Sequence, residues 1–236
     1  MSGQEVSLNE EARTPQILRL GLQLLIPVLL LLSSVWVILL TARIWIPVEY
    51  RMPGFPPDRY GFTLQDRIEW SAVDIRFLLG SEPISYFDRF QLADGSPMHN
   101  ERELVHMEDV KTLLDATRWV LGAGILIAAA LTFILVRMRG GGEARQAWRS
   151  GARWTIYLML LLGVGLVLGF SFVFVGFHRL FFEGSSWIFP LSDTFIRLYP
   201  ERFWRDTFAL VVIVTGLLTG LVYLVARRAV SKQKPA

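Results

Sequence analysis

"LGLQLLIPVLLLLSSVWVILLTA", residues 20–42, contains no charged side chain. A helix of that length, rising 1.5 Å per residue, crosses a hydrocarbon core of about 30 Å. Three further stretches share the property: residues 119–136, 154–177 and 207–226. Around them, 53% of the 236 residues are hydrophobic and the mean hydropathy is +0.41, too apolar for an ordinary soluble domain. Arg13 and Arg19 precede the first stretch as they would a signal peptide. It is nevertheless too long for the apolar part of one, and no small-x-small cleavage site follows. The chain therefore reads as an all-α, polytopic membrane protein: four transmembrane helices in a single membrane domain spanning residues 1–236.

Orientation follows from arginine and lysine. Arg137, Arg139, Arg145, Arg149 and Arg153 face a single acid, Glu143, between the second and third spans. The last residues carry Arg227, Arg228, Lys232 and Lys234 with no acid, whereas residues 43–118 hold nine basic and thirteen acidic side chains. The positive-inside rule puts both termini and the inner loop 137–153 on the cytoplasmic side of the cell membrane. Outer loops 43–118 and 178–206 are then extracytoplasmic. The net charge of +3 sits where that rule wants it and gives no argument for a nucleic-acid partner.

Cysteine is absent, so the outer loops must be ordered by packing, and thiolate nucleophiles and thiolate metal sites are excluded. Only Gly140-Gly141-Gly142 and the charged ends have linker composition. In the first outer loop Pro47, Pro53, Pro56 and Pro57 predict an extended, irregular path. Thr63 with Asp66 predicts a capping box, followed by a helix with Leu64, Ile68, Ala72, Ile75 and Leu79 on one face and Gly80 at its end. The expectation is a partly helical extracytoplasmic cap.

"NERELVHMEDVK", residues 100–111, begins with a second capping pair, Asn100 and Glu103, and nothing from 101 to 136 breaks a helix. Arg102, His106, Asp109 and Leu113 recur at helical spacing, and Asp109 stands within reach to fix the tautomer of His106. The same spacing also fits a solvated helix end, since charged helix faces are common. The second outer loop opens "GFHRLFFEGSSWIFP", residues 176–190, with His178 directly after the third span, and continues "DTFIRLYPERFW", where Pro200 can begin the fourth helix. His178 could equally be an interface anchor beside an aromatic belt of Trp187, Tyr199 and Trp204. The third histidine, His99, precedes a helix cap and reads as structural.

"NERELVHMEDVK", then "FHRLFFEGSSWIF", then "DTFIRLYPERFW" resembles the bacterial four-span family that includes the lipoprotein intramolecular transacylases. The similarity extends over the whole architecture, with the H-M-x-D-V core of the first block its most specific motif. That resemblance implies transfer of the sn-2 acyl chain of a lipoprotein's diacylglyceryl-cysteine to that cysteine's own α-amine, leaving a lyso-form lipoprotein. The resemblance implies a bacterial cell membrane, a lipoprotein N-terminus and membrane lipid as partners, and functional histidines at His106 and His178.

Ester aminolysis needs a neutral amine, a stabilised oxyanion and a proton for the departing glycerol oxygen. Histidine can do either proton job near neutral pH. Both reactants lie on one molecule, so positioning supplies much of the rate and no cofactor or metal is required. The expected catalytic residues are His106 as base, oriented by Asp109, and His178 as acid or oxyanion partner. Arg102, Arg179 and Trp187 are candidates for charge stabilisation and substrate binding. No G-x-S-x-G surrounds Ser185 or Ser186. The alternatives are a membrane metallohydrolase, in which His106 and His178 with Glu103, Asp109 or Glu183 hold zinc, and a non-catalytic envelope factor. No H-E-x-x-H supports the metal, and no ionisable residue interrupts a span as a transporter would require.

Overall fold

The computed structural model describes the backbone of residues 2–231 and the side chains of residues 14–227. Arg13, weighed above for a signal peptide, and Arg228, Lys232 and Lys234, used for orientation, lie outside the described side chains. The described chain is helical, in the order α1 (Ser2–Leu40), α2 (Ala42–Glu49), α3 (Leu64–Leu79), a 3-10 turn (Ile84–Arg89), α4 (Glu101–Arg139), α5 (Gly141–Phe181), α6 (Thr194–Leu198) and α7 (Glu201–Ser231). Among the described residues four helices are long and apolar enough to cross a membrane: residues Thr14–Leu40 of α1, α4, α5, and residues Glu201–Arg227 of α7.

The chain divides into two compact units. One comprises Met1–Val35, Trp119–Val164 and Val211–Ala236. Its core is Leu22, Ile26, Leu29 and Leu30 of α1 packed with Ala128 and Leu135 of α4 and Ala144 and Ala147 of α5. Glycines let the helices close up. A Cβ at Gly151 would stand 2.7 Å from Ile26 Cβ, and one at Gly124 would stand 2.6 Å from Leu29 Cδ2. Ser34 and Thr215, both buried, share a hydrogen bond of 2.6 Å. Leu126, Leu161 and Leu217 point outward, as side chains against lipid should.

The second unit comprises Trp36–Arg118 and Gly165–Leu210. Its α3 starts at the predicted capping box: Thr63 accepts from the Asp66 N–H, and Asp66 accepts from the Thr63 N–H. Ile68, Ile75 and Leu79 pack against Ala42, Ile46, Tyr50 and Phe203, whereas Leu64 is exposed. The helix also buries a polar side carrying Arg67, Ser71 and Asp74. A larger apolar cluster joins Phe77, Tyr86, Phe87, Met98, Met107, Phe195 and Leu198.

Local expectations fail at two places. Pro47 does not enforce an irregular path: it lies inside α2, as the sixth of its eight residues, where its missing N–H forgoes one backbone hydrogen bond. The glycine tract is not a flexible linker. Gly140 alone breaks the chain, at φ +82°, where a side chain would be strained, and Gly141 and Gly142 open α5. The connector 137–153 is helical apart from that one residue.

Candidate active site

Residues 101–118 of α4 turn Glu103, His106 and Met107 inward and leave Glu101, Arg102, Val105 and Glu108 exposed. The buried positions recur at three and four residues, as one helix face must. Opposite them, α5 departs from helical geometry at Gly169 (φ −168°, ψ 66°), then resumes through Phe174 and His178 to Phe181. Each helix delivers one buried imidazole to the same place. The ring centroids of His106 and His178 are 6.1 Å apart with planes inclined by 26°.

The walls are aromatic. Phe182 lies 4.9 Å from His106 and 5.5 Å from His178. Phe189 and Phe195 close the His106 side at 5.5 Å and 6.1 Å. Phe174 and Trp187 flank His178 at 4.1 Å and 4.9 Å. The indole Nε1 of Trp187 and Nδ1 of His106 are buried without hydrogen-bond partners. Trp187 covers His178, and the Tyr199 hydroxyl donates to Asp74 at 2.8 Å. Thirteen residues, roughly 20 Å of helix, separate His106 from Trp119, and α4 is continuous between them.

His178 Nδ1 lies 2.8 Å from the Phe174 carbonyl oxygen. A carbonyl can only accept, so Nδ1 carries the proton and Nε2 keeps its lone pair. Among the described residues no carboxylate forms a hydrogen bond or ion pair with either ring. Asp109 is half-buried, and its carboxylate accepts from the Ser186 hydroxyl at 3.2 Å rather than from His106. The expectation that Asp109 orients His106 is corrected. The imidazole is directed into the rings, and the carboxylate, displaced by about 60° around the helix, finds a loop hydroxyl instead of entering an apolar cage. Arg102 and Arg179 are exposed and outside the cup. Trp187 is the one candidate binding residue that touches a histidine.

His99, outside the cup, makes the ion pair. Its Nε2 is 2.8 Å from Asp74 Oδ1, its Nδ1 is 3.8 Å from Glu103 Oε2, and its side chain is fully buried. Burial opposes the charged form, but Asp74 and then Glu103 outweigh it and raise the imidazolium pKa to about 9. Among the described residues no three His, Cys, Asp or Glu side chains cluster as metal ligands would. Sequence reasoning missed Phe174, Phe182, Phe189 and Phe195 as walls; the aromatic density of "FHRLFFEGSSWIF" was the signal for Phe182 and Phe189.

A family model, lipoprotein intramolecular transacylase Lit, matches residues 21–204. An uncharacterized protein of Aquifex aeolicus (strain VF5) is 29% identical over 199 residues, covering 78% of this chain and 84% of its own. Among solved structures, the membrane integral lipoprotein intramolecular transacylase Lit from Bacillus cereus superimposes with a TM-score of 0.71 at 19% identity. That match covers 94% of this chain and 98% of the other. The same protein with one histidine replaced by arginine gives a TM-score of 0.69 at 19% identity over 98% of both chains. These likenesses in structure speak for the fold.

Proposed function

Since the chain belongs to the lipoprotein intramolecular transacylase (Lit) family, we propose that it moves the sn-2 acyl chain of a diacylglyceryl-cysteine to that cysteine's α-amine. In this reading the cup opens on the extracytoplasmic side and both termini are cytoplasmic. The observation that carries it is the buried histidine pair, 6.1 Å apart in an aromatic enclosure, with the tautomer of His178 fixed by a backbone carbonyl.

The chemistry follows from those atoms. The neutral α-amine attacks the ester carbonyl carbon, forming the C–N bond. His178 Nε2 takes the amine proton, then returns it to the departing sn-2 oxygen as the C–O bond breaks, so no proton is gained or lost overall. An N–H of neutral His106 steadies the oxyanion. These roles reverse the expectation from spacing, because His178 has the oriented ring and His106 has no carboxylate behind it. Aromatic walls also exclude water, which would otherwise take the acyl group and turn transfer into hydrolysis. Trp187 packs the substrate against His178.

Mass spectrometry of lipoprotein N-termini in cells with and without the chain tests the reading. The expected product is an N-acylated lyso-form of unchanged total acyl content. His106→Ala and His178→Ala should each lower its formation by roughly 10²–10⁴-fold while membrane insertion persists. Unchanged product in either folded variant, or free fatty acid in place of the amide, refutes it.

A further inference from the structure

Glu103 sits one helical turn before His106 and is almost wholly buried, at 1% exposure. As a capping residue it needs one partner, the Asn100 N–H, which Oε2 accepts at 2.8 Å. Its other oxygen has a second task. Oε1 accepts the Phe195 N–H at 2.6 Å, 92 residues away in sequence. The same carboxylate faces His99, which is bound to Asp74 of α3, and Asp74 also takes the Tyr199 hydroxyl. One side chain thus joins the start of α4, the buried imidazolium and the start of α6.

Phe195 is the element that matters for chemistry. Its ring rests on His99 at 4.7 Å, on Phe189 at 5.4 Å and on His106 at 6.1 Å. We propose that Glu103 is a positioning residue for His106: by fixing the Phe195 backbone against α4 it holds the Phe189–Phe195 wall that locks the His106 ring. His106 has no hydrogen bond of its own at Nδ1, so wall packing is what orients it. Orientation of a reacting group is worth a great deal, since an ångström of misplacement can cost about a hundredfold in rate. The proposal rests on the acyl-transfer reading for its catalytic consequence, though the wall itself can be probed without turnover.

Glu103→Gln is the informative change. A glutamine keeps the volume and can accept from one of the two N–H groups, but must turn its own NH2 toward the other or toward His99. The full chain in detergent would be assayed on a diacylated lipopeptide. In parallel, carbethoxylation of His106 by diethyl pyrocarbonate would be followed by peptide mass spectrometry, with thermal unfolding confirming that each variant is folded. The expected result is a kcat lowered about tenfold, a KM within twofold, and His106 modified several times faster. Wild-type kcat, or a lowered kcat with His106 as protected as in the wild type, overturns the proposal, as does a rise in KM alone. Should Glu103→Gln not fold, Tyr199→Phe decides, because it removes only the hydroxyl on Asp74. It should shift kcat and His106 reactivity in the same direction by a smaller factor, and wild-type values for both overturn the proposal. A wild-type chain that makes no lyso-product defeats the acyl-transfer reading instead, while the carbethoxylation rates still decide the positioning.

Discussion

Replacing His99 with glutamine should make the protein less stable at neutral pH and flatten its alkaline response. The imidazolium lies fully buried between Asp74 and Glu103, and its pKa is raised from the ordinary 6.5 to about 9. A folded-state pKa above the unfolded one stabilises the fold fully below the unfolded value. That contribution is lost as pH rises through the folded value. The separation corresponds to roughly 3 kcal/mol at pH 6 and below, falling to well under 1 kcal/mol by pH 9. At roughly 2–4 °C per kcal/mol for a chain of this size, the wild type should unfold about 10 °C above His99→Gln at pH 6. Thermal unfolding of both proteins in detergent between pH 6 and 10 gives the test, with the difference between the curves removing other groups' titration. A difference that stays constant across that range, or one that grows toward high pH, refutes the ion-pair account.

Asp109→Asn should slow the proposed acyl transfer by no more than about fivefold, the value of one hydrogen bond to Ser186, against the hundredfold or greater loss proposed for His106→Ala or His178→Ala; a loss equal to that of His178→Ala would return Asp109 to the proposed catalytic group. Cysteines introduced at exposed Ala93 and Gln146 should label oppositely in intact cells, only the former reacting with an impermeant thiol reagent. The reverse pattern refutes the orientation drawn from the arginines. Prolonged chelation should leave lyso-lipoprotein formation unchanged, since aminolysis by a histidine pair asks for no metal; inhibition reversed by zinc would favour the hydrolase alternative.

Residue chemistry exposes some features of this molecule and hides others. The four spans were legible because a charge-free run of about twenty residues has few other uses in a folded chain. Both capping boxes were legible because their partners stand three residues apart. His106 and His178 stood out by charged or aromatic context, and their approach depends on α4 and α5 carrying them to one level. The second partner of Glu103, 92 residues away, could not be read from any local spacing. Asp109 misled for the same reason: helical proximity made His106 available, but a loop hydroxyl from another segment competed better. Pro47 and the glycine tract misled in the opposite sense. Residues that end helices in isolation are accommodated late in α2, at Pro47, and at the start of α5, at Gly141 and Gly142.

The glycines facing α1 bear on how the helices find one another. Ile26 and Leu29 are three residues apart, and each fits where a neighbouring backbone has no side chain, at Gly151 and Gly124. Turning α1 about its axis would drive a branched side chain into one helix while opening a void beside the other. Sliding it by a residue would do both. The first helix therefore behaves as a keyed post with one permitted rotation and one permitted height. Lipid offers no hydrophobic force to favour that fit, so packing shape, together with the buried Ser34–Thr215 hydrogen bond, must select it. A bulkier residue at Gly151, where the obstacle is the rigid Cβ branch of Ile26, should misregister the bundle, whereas the flexible end of Leu29 leaves room for adjustment at Gly124.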